Sequence, residues 1–288
     1  MVTRTELFKN LDYEIQFYSE NTQRQYRAHV SDYLDWVKRH RESLDAWMER
    51  DTVYAYAEYL KSNRHLSQST IGFILRGPIG TLFRMQQPSL RMPVKLPKVS
   101  RGSMMNIEER KGFTEQEIAQ LIQTARESGN FQWQNLMALA SIYMVRAGEI
   151  TQIKKSDIHP LKKTIVIHTL KGGLTREHMV PNAIAPYIFK YDYPELPDKR
   201  IHVIFRDLAK AAGVNLGERK NIHAVRHGVF TALSNLRDSN DQPVYDANDL
   251  FRFARWAGGN ITETYNHVML LKIDEIVFKH HPFLVYWK

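Results

Sequence analysis

Residues 164–181, TIVIHTLKGGLTREHMVP, carry the strand signals that decide the fold class. TIVIH (164–168) and EHMVP (177–181) are short apolar runs, and Gly172-Gly173 between them is a turn signal, so the segment reads as a β-hairpin. The stretches on either side read as helices. FTEQEIAQLIQTA (113–125) opens with Thr114 as a cap and Glu117 closing a capping box, and Phe113 is placed to staple onto Ile118. Ile118, Leu121, Ile122 and Ala125 then recur on one helical face. Another helix is expected over about 132–146, and everything beyond about 202 has helical character. The fold class expected is mainly α, with a small sheet confined to the second part of the chain.

The first third shows no strand signal. Thr22 and Gln25 suggest a capping box for a helix over 22–40, with Tyr26, Val30, Tyr33, Leu34 and Val37 on one face. A second helical pattern runs from Asp51 through Tyr56 and Leu60, and a third from Ser69 carries Ile71, Ile74 and Leu75 until Pro78 kinks or breaks it. About 20 residues precede the first of these patterns. The stretch 88–106, PSLRMPVKLPKVSRGSMMN, joins the two parts. Its prolines keep it extended, and Arg91, Lys95, Lys98 and Arg101, with no acid among them, suit either an ordinary solvated linker or a segment lying along phosphates.

The 288-residue chain is 43% hydrophobic, enough to bury real cores. Its 40 Lys and Arg outnumber 31 acids, a formal charge of +9 that favours a polyanionic partner through counterion release, though a basic solvated surface has the same composition. No apolar run approaches the ~18 residues of a membrane span, and the start MVTRTELFKN lacks a signal-peptide core. With no cysteine there is neither disulfide nor thiolate metal site. A cytoplasmic protein without a membrane partner is expected.

Several side chains could do chemistry. Arg146 lies in VRAGEI with Glu149 three residues on, and Arg226 lies in HAVRHG three residues after His223. An arginine fork matches two phosphate oxygens in a way lysine cannot, although either arginine taken singly reads as a surface or salt-bridge residue. Lys171 occupies the hairpin tip, where a lysine is a solvated turn residue or a mobile general acid. His223 and His227 have a zinc-like spacing, but Ala224 stands where a metalloprotease has Glu, and no metal is expected. Tyr265, in WAGGNITETYNHV with Trp256 nine residues earlier, is one of 14 tyrosines and by itself a packing residue.

Taken in order, these residues resemble the tyrosine recombinase (phage integrase) family, in its compact Cre- or Xer-like form, over nearly the whole chain. NTQRQYRAHVSDYLDWV and LSQSTI are similar to its helical core-binding domain, and FTEQEIAQLI to the start of its catalytic domain. VRAGEITQIKKSDI, LKGGLTREHMVPN, HAVRH and WAGGNITETYNHV are similar to its active-site motifs. The resemblance implies a DNA-breaking–rejoining fold: a SAM-like helical core DNA-binding domain (1–95), a basic linker (96–111), and an α+β catalytic domain with a C-terminal exchange tail (112–288). It implies Tyr265 as nucleophile, Arg146 and Arg226 as the phosphate clamp, Lys171 as acid to the leaving oxygen, His223 as proton carrier, Trp256 as a hydrogen-bond donor and Glu149 as an orienting group. No cofactor is implied. The partners implied are double-stranded DNA with inverted-repeat core sites and three further copies of the chain, forming a tetramer in a synaptic complex. A catalytically silent DNA-binding protein of the same fold, a telomere resolvase and a type IB topoisomerase are the alternatives. Two departures stand out: Trp256 occupies a position often held by His, and SNLRDSNDQPVYDAND (234–249) suggests a loop insertion. The tail 266–288, ending in Phe283, Leu284, Val285, Tyr286 and Trp287, must be buried, either on its own domain or in a neighbouring protomer.

Overall fold

The computed structural model describes residues 3–86, 112–170, 175–217, 220–256 and 267–288. The chain divides into two compact units, Met1–Met104 and Met105–Lys288.

The first unit is helical throughout its described residues: α1 (Arg4–Ile15), α2 (Glu20–His40), a 3-10 turn (Leu44–Met48), α3 (Arg50–Ser62), α4 (Gln68–Ile74) and α5 (Gly80–Gln86). Helix α1 lies in the stretch where no element was expected. Its signal was legible, because Thr3 and Glu6 form a full capping box. Helix α2 starts two residues before the expected cap: Ser19, not Thr22, accepts the amide of Thr22. Its apolar face is as read, with Val30, Tyr33, Leu34 and Val37 buried. Pro78 does not end the helical run. It sits in a π turn, Leu75–Ile79, in which Gly80 donates five residues back to Leu75 O, so the missing proline N–H is absorbed by a change of register. Arg4 ties α1 to α2 through Asp35 and Ser31. Tyr33 donates to Trp47 O from among the rings of Trp36 and Tyr56.

The second unit is built around α7 (Phe131–Tyr143), in which every residue from Gln134 to Tyr143 is buried. A helix apolar on all sides belongs inside a protein, and α7 packs against α6 (Glu115–Glu127), α9 (Ala185–Phe189), α10 (Asp198–Ala211) and α11 (Ile222–Asn235). The capping box of α6 is present as expected, with Thr114 and Glu117 exchanging hydrogen bonds. Helix α8 (Ala147–Ile150) follows α7 after a break, and α12 (Ala247–Phe253), α13 (His267–Lys279) and a final 3-10 turn (Leu284–Trp287) complete the unit. The sheet is antiparallel in the order β1 (Ile158–His159), β2 (Thr164–Ile167), β3 (Arg176–Met179). Strands β2 and β3 form the expected hairpin, with Ile165 opposite His178 and Ile167 opposite Arg176. β1 carries no strand signal of its own and pairs only two residues. The residues suspected of being an insertion close on themselves: Arg237 bridges Pro243, and Asp238 Oδ1 accepts the amides of Asn240 and Gln242. No described helix is long and apolar enough to cross a membrane.

Candidate active site

The site forms where two helices end. Helix α7 stops at Met144, which takes a left-handed conformation (φ 53°). The chain then runs to Arg146, which is not the end of α7 but the extended residue that opens α8. Helix α12 stops at Ala254 in a Schellman motif: Trp256 N–H donates to Phe251 O and Arg255 N–H to Arg252 O. Arg255 occupies the left-handed position of that motif (φ 57°), where glycine is usual.

Two buried guanidiniums take up the last carbonyls of both helices. Arg226, on α11, donates to Met144 O and, at 2.8 Å, to Ala254 O. Arg255 donates to Tyr143 O at 3.0 Å and Phe253 O at 3.4 Å. Helix C-termini carry partial negative charge, which favours both cations. Among the described residues Arg226 has no carboxylate partner. Burial, then Arg146 and Arg255, bring its pKa down to about 9, so it stays charged at neutral pH.

Glu149 is wholly buried and lies between two arginines. Its Oε1 accepts from the Arg146 guanidinium at 2.5 Å, and its Oε2 from the Arg146 backbone N–H at 3.0 Å. Arg255 approaches Oε2 at 3.5 Å from the other side. Arg146 keeps a third of its side chain open to solvent (32%). His223 lies in the first turn of α11, its amide received by the cap Asn221 Oδ1 at 2.8 Å, and its ring meets that of His227 edge to face at 4.7 Å. The i, i+3 spacing puts His223 and Arg226 on one helix face. Crowding by surrounding protein, then His227, Arg226 and Arg146, pushes the His223 pKa down to about 4, although the residue keeps an open face to solvent. It is therefore neutral at pH 7. The Trp256 ring lies over Arg226, 5.1 Å from the guanidinium carbon, and is held by Phe230 and Phe251 at 4.4 and 5.4 Å.

Behind these residues runs a buried polar chain that the sequence reading missed. Arg255 donates to His178 Nε2 at 3.0 Å, and His178 Nδ1–H donates to Asp274 Oδ1 at 3.1 Å. Asp274, on α13, also accepts from Arg176 at 2.5 Å and from the Met179 amide at 2.8 Å. Burial, then Arg176 and Arg255, hold His178 well below its usual pKa, in keeping with a neutral ring that donates from one nitrogen and accepts at the other. Three buried guanidiniums (Arg176, Arg226, Arg255) thus face two buried carboxylates (Glu149, Asp274). The excess positive charge lies beside the part-exposed Arg146.

Of the seven residues singled out from the sequence, the structure brings Arg146, Glu149, His223, Arg226 and Trp256 together. Lys171 and Tyr265 lie outside the described residues. The alternation of Arg176 and His178 on one strand face was the signal available for the missed chain. Nothing in the sequence marks Arg255.

No protein-family model matches the chain, and no curated protein sequence does. Solved structures do. A lambda integrase (75–356) dimer bound to a COC′ core site aligns with a TM-score of 0.62 and 13% identity, covering 92% of this chain and 99% of that one. Lambda integrase (residues 75–356) bound to DNA aligns at 0.58 and 16% identity, covering 90% and 99%. A lambda integrase tetramer bound to a Holliday junction aligns at 0.59 and 15% identity, covering 91% and 80%. The fold is that of lambda integrase. Mainly helical architecture with one small antiparallel sheet is thus the integrase architecture.

Proposed function

We propose that this protein is a tyrosine recombinase, which cuts and rejoins double-stranded DNA through a 3′-phosphotyrosyl linkage at Tyr265. The observation that carries the reading is the convergence of Arg146, Arg226 and His223 on an integrase fold, beside an excess of buried positive charge. A phosphodiester supplies the missing anion. Arg146 and Arg226 bind its non-bridging oxygens, where charge builds as the phosphorus becomes five-coordinate. His223, neutral at pH 7, accepts the phenolic proton as Tyr265 Oη attacks phosphorus. The bond to the 5′-oxygen breaks, and Lys171 gives that oxygen its proton. Trp256 packs over Arg226, and its indole N–H is available to a phosphate oxygen. A 5′-hydroxyl from a partner strand then attacks the phosphotyrosine and releases Tyr265, giving a Holliday junction when one strand pair has exchanged. Inverted-repeat core sites and a tetramer of this chain complete the reading: integration or another site-specific recombination, in the cytoplasm or nucleoid.

The test is covalent trapping. The purified chain is incubated with a pool of duplexes carrying a randomised centre, denatured, and resolved with and without protease. The expected result is a protease-sensitive protein–DNA adduct whose other cut end carries a 5′-hydroxyl. Specific DNA binding without any adduct would favour the catalytically silent alternative and overturn this reading.

A further inference from the structure

We infer that Arg255 is a positioning residue: it holds the Glu149 carboxylate in the orientation that aims Arg146, and through His178 it ties that carboxylate to Asp274 on α13. The inference rests on the proposed function, since Arg146 is the group it serves. Glu149 has a single carboxylate to orient Arg146, and two different guanidiniums grip its two oxygens. Arg146 alone could draw the carboxylate out of its seat toward solvent. Arg255, fully buried and fixed by Tyr143 O, Phe253 O and His178, cannot follow it and so pins it in place.

Through His178 the same side chain is linked to α13. Helix α13 begins two residues after Tyr265, and its Asp274 is held by Arg176, His178 and the Met179 amide. The unbroken series Arg146–Glu149–Arg255–His178–Asp274 therefore joins the phosphate-binding arginine to the helix that follows the nucleophile. A role in stability alone fits poorly. The arrangement puts a non-glycine residue at positive φ, buries Arg255, Glu149, His178 and an Asp274 carboxyl whose pKa burial raises to about 7, and leaves the Arg255 Nε without a hydrogen-bond partner among the described residues. Such costs gather where geometry matters to function.

The test uses the full chain with Arg255→Gly and Arg255→Lys. Glycine suits the backbone at this position and leaves a space shaped for a guanidinium ion; lysine keeps the charge and the fold but cannot serve Glu149, His178 and two carbonyls together. On a duplex selected by the trapping experiment, single-turnover cleavage at saturating DNA should slow by about 10²-fold in Arg255→Gly, with DNA affinity little changed. Millimolar guanidinium ion should restore part of the rate. In an Arg146→Ala background the same change should cost almost nothing more, because Arg255 acts through Arg146. Full additivity of the two losses, or a loss confined to DNA affinity, overturns the inference. A separate reading needs no activity: the side-chain ¹⁵N signals of Arg146 should lose their restricted rotation in Arg255→Gly and in Arg255→Lys. Unchanged Arg146 signals overturn the positioning role, whereas absence of cleavage by the wild type overturns the proposed function and leaves this measurement to decide the inference.

Discussion

Arg226 shows how a single side chain can be charged and buried at once. It is 1% exposed and has no carboxylate partner among the described residues, yet two helix-end carbonyls keep it ionised. Lysine would bring one point charge where the fork now serves Met144 O and Ala254 O, so Arg226→Lys should lower the cleavage rate by about 10²–10³-fold with a smaller effect on DNA binding, read from single-turnover kinetics. Tyr265→Phe should abolish the adduct altogether while leaving thermal midpoint and DNA affinity unchanged; an adduct formed by the Phe variant would show that another residue attacks. The sequence made Arg146, Glu149, His223, Arg226 and Trp256 legible because each lies in a short motif with a recognisable order. Arg255 and Asp274 were not legible, and Arg176 and His178 showed only their alternation on β3, because what sets all four apart is burial against one another, and burial is a tertiary fact. A charged residue in a sequence reads as solvated until its surroundings are known.

At the level of elements, the parts read correctly are those with local causes. The capping box of α6 and the apolar face of α2 follow from side chains a few residues apart. Strand β1 and the π turn at Pro78 depend on partners that sequence spacing does not reveal, and the end of α7 depends on Met144 adopting a positive φ that methionine rarely takes. One close approach positions the site directly. Gly228, one turn into α11 beyond His223, lies so near the segment leading into α6 that an added Cβ would stand 2.2 Å from Phe113 O, and a Cβ on Gly112 would stand 2.4 Å from Gly228 N. The contact fixes α11, and with it His223 and Arg226, against the start of α6. Gly228→Ala must push the two segments apart. It should destabilise the second unit by about 1–3 kcal/mol or more in urea unfolding and reduce cleavage along with stability. A Gly228→Ala protein of unchanged stability would mean that this contact is looser in solution.

Across the whole second unit, two buried histidines tie stability to pH, and the tail ties it to the chain end. Burial holds His281 down to about 3 against an ordinary 6.5. The unfolded chain binds a proton below about 6.5 while the folded chain does not until about 3, so stability is present above that window and falls as pH drops through it. At pH 5.5 the loss from this one group is on the order of 1 kcal/mol, and His178, also held low by burial and by Arg176 and Arg255, acts in the same direction. His281→Asn should therefore flatten the acid limb of the unfolding midpoint; an unaltered slope would refute the assignment. The tail gives the last prediction. Of its two expected destinations, the structure realises packing on its own unit: Phe283 and Trp287 are buried in the core. Trp287 lies 4.8 Å from Tyr187 and donates to Ser141 Oγ at 3.3 Å, while Arg126 donates to Tyr286 O at 2.9 Å and to Lys288 O. Val285 and Tyr286 stay partly open to solvent. If protomers in the proposed tetramer exchange tails, each gives up these contacts and receives the same ones from its neighbour, so the packing energy cancels and the path of the connecting chain decides the outcome. In the free protein nothing cancels. Trp287→Ala should cost about 3–5 kcal/mol of stability, the cost of emptying a buried aromatic site. The unfolding midpoint of the wild type should be independent of protein concentration without DNA. A midpoint that rises with concentration and loses that dependence in Trp287→Ala would show that the tail already rests in a neighbour before any DNA is bound.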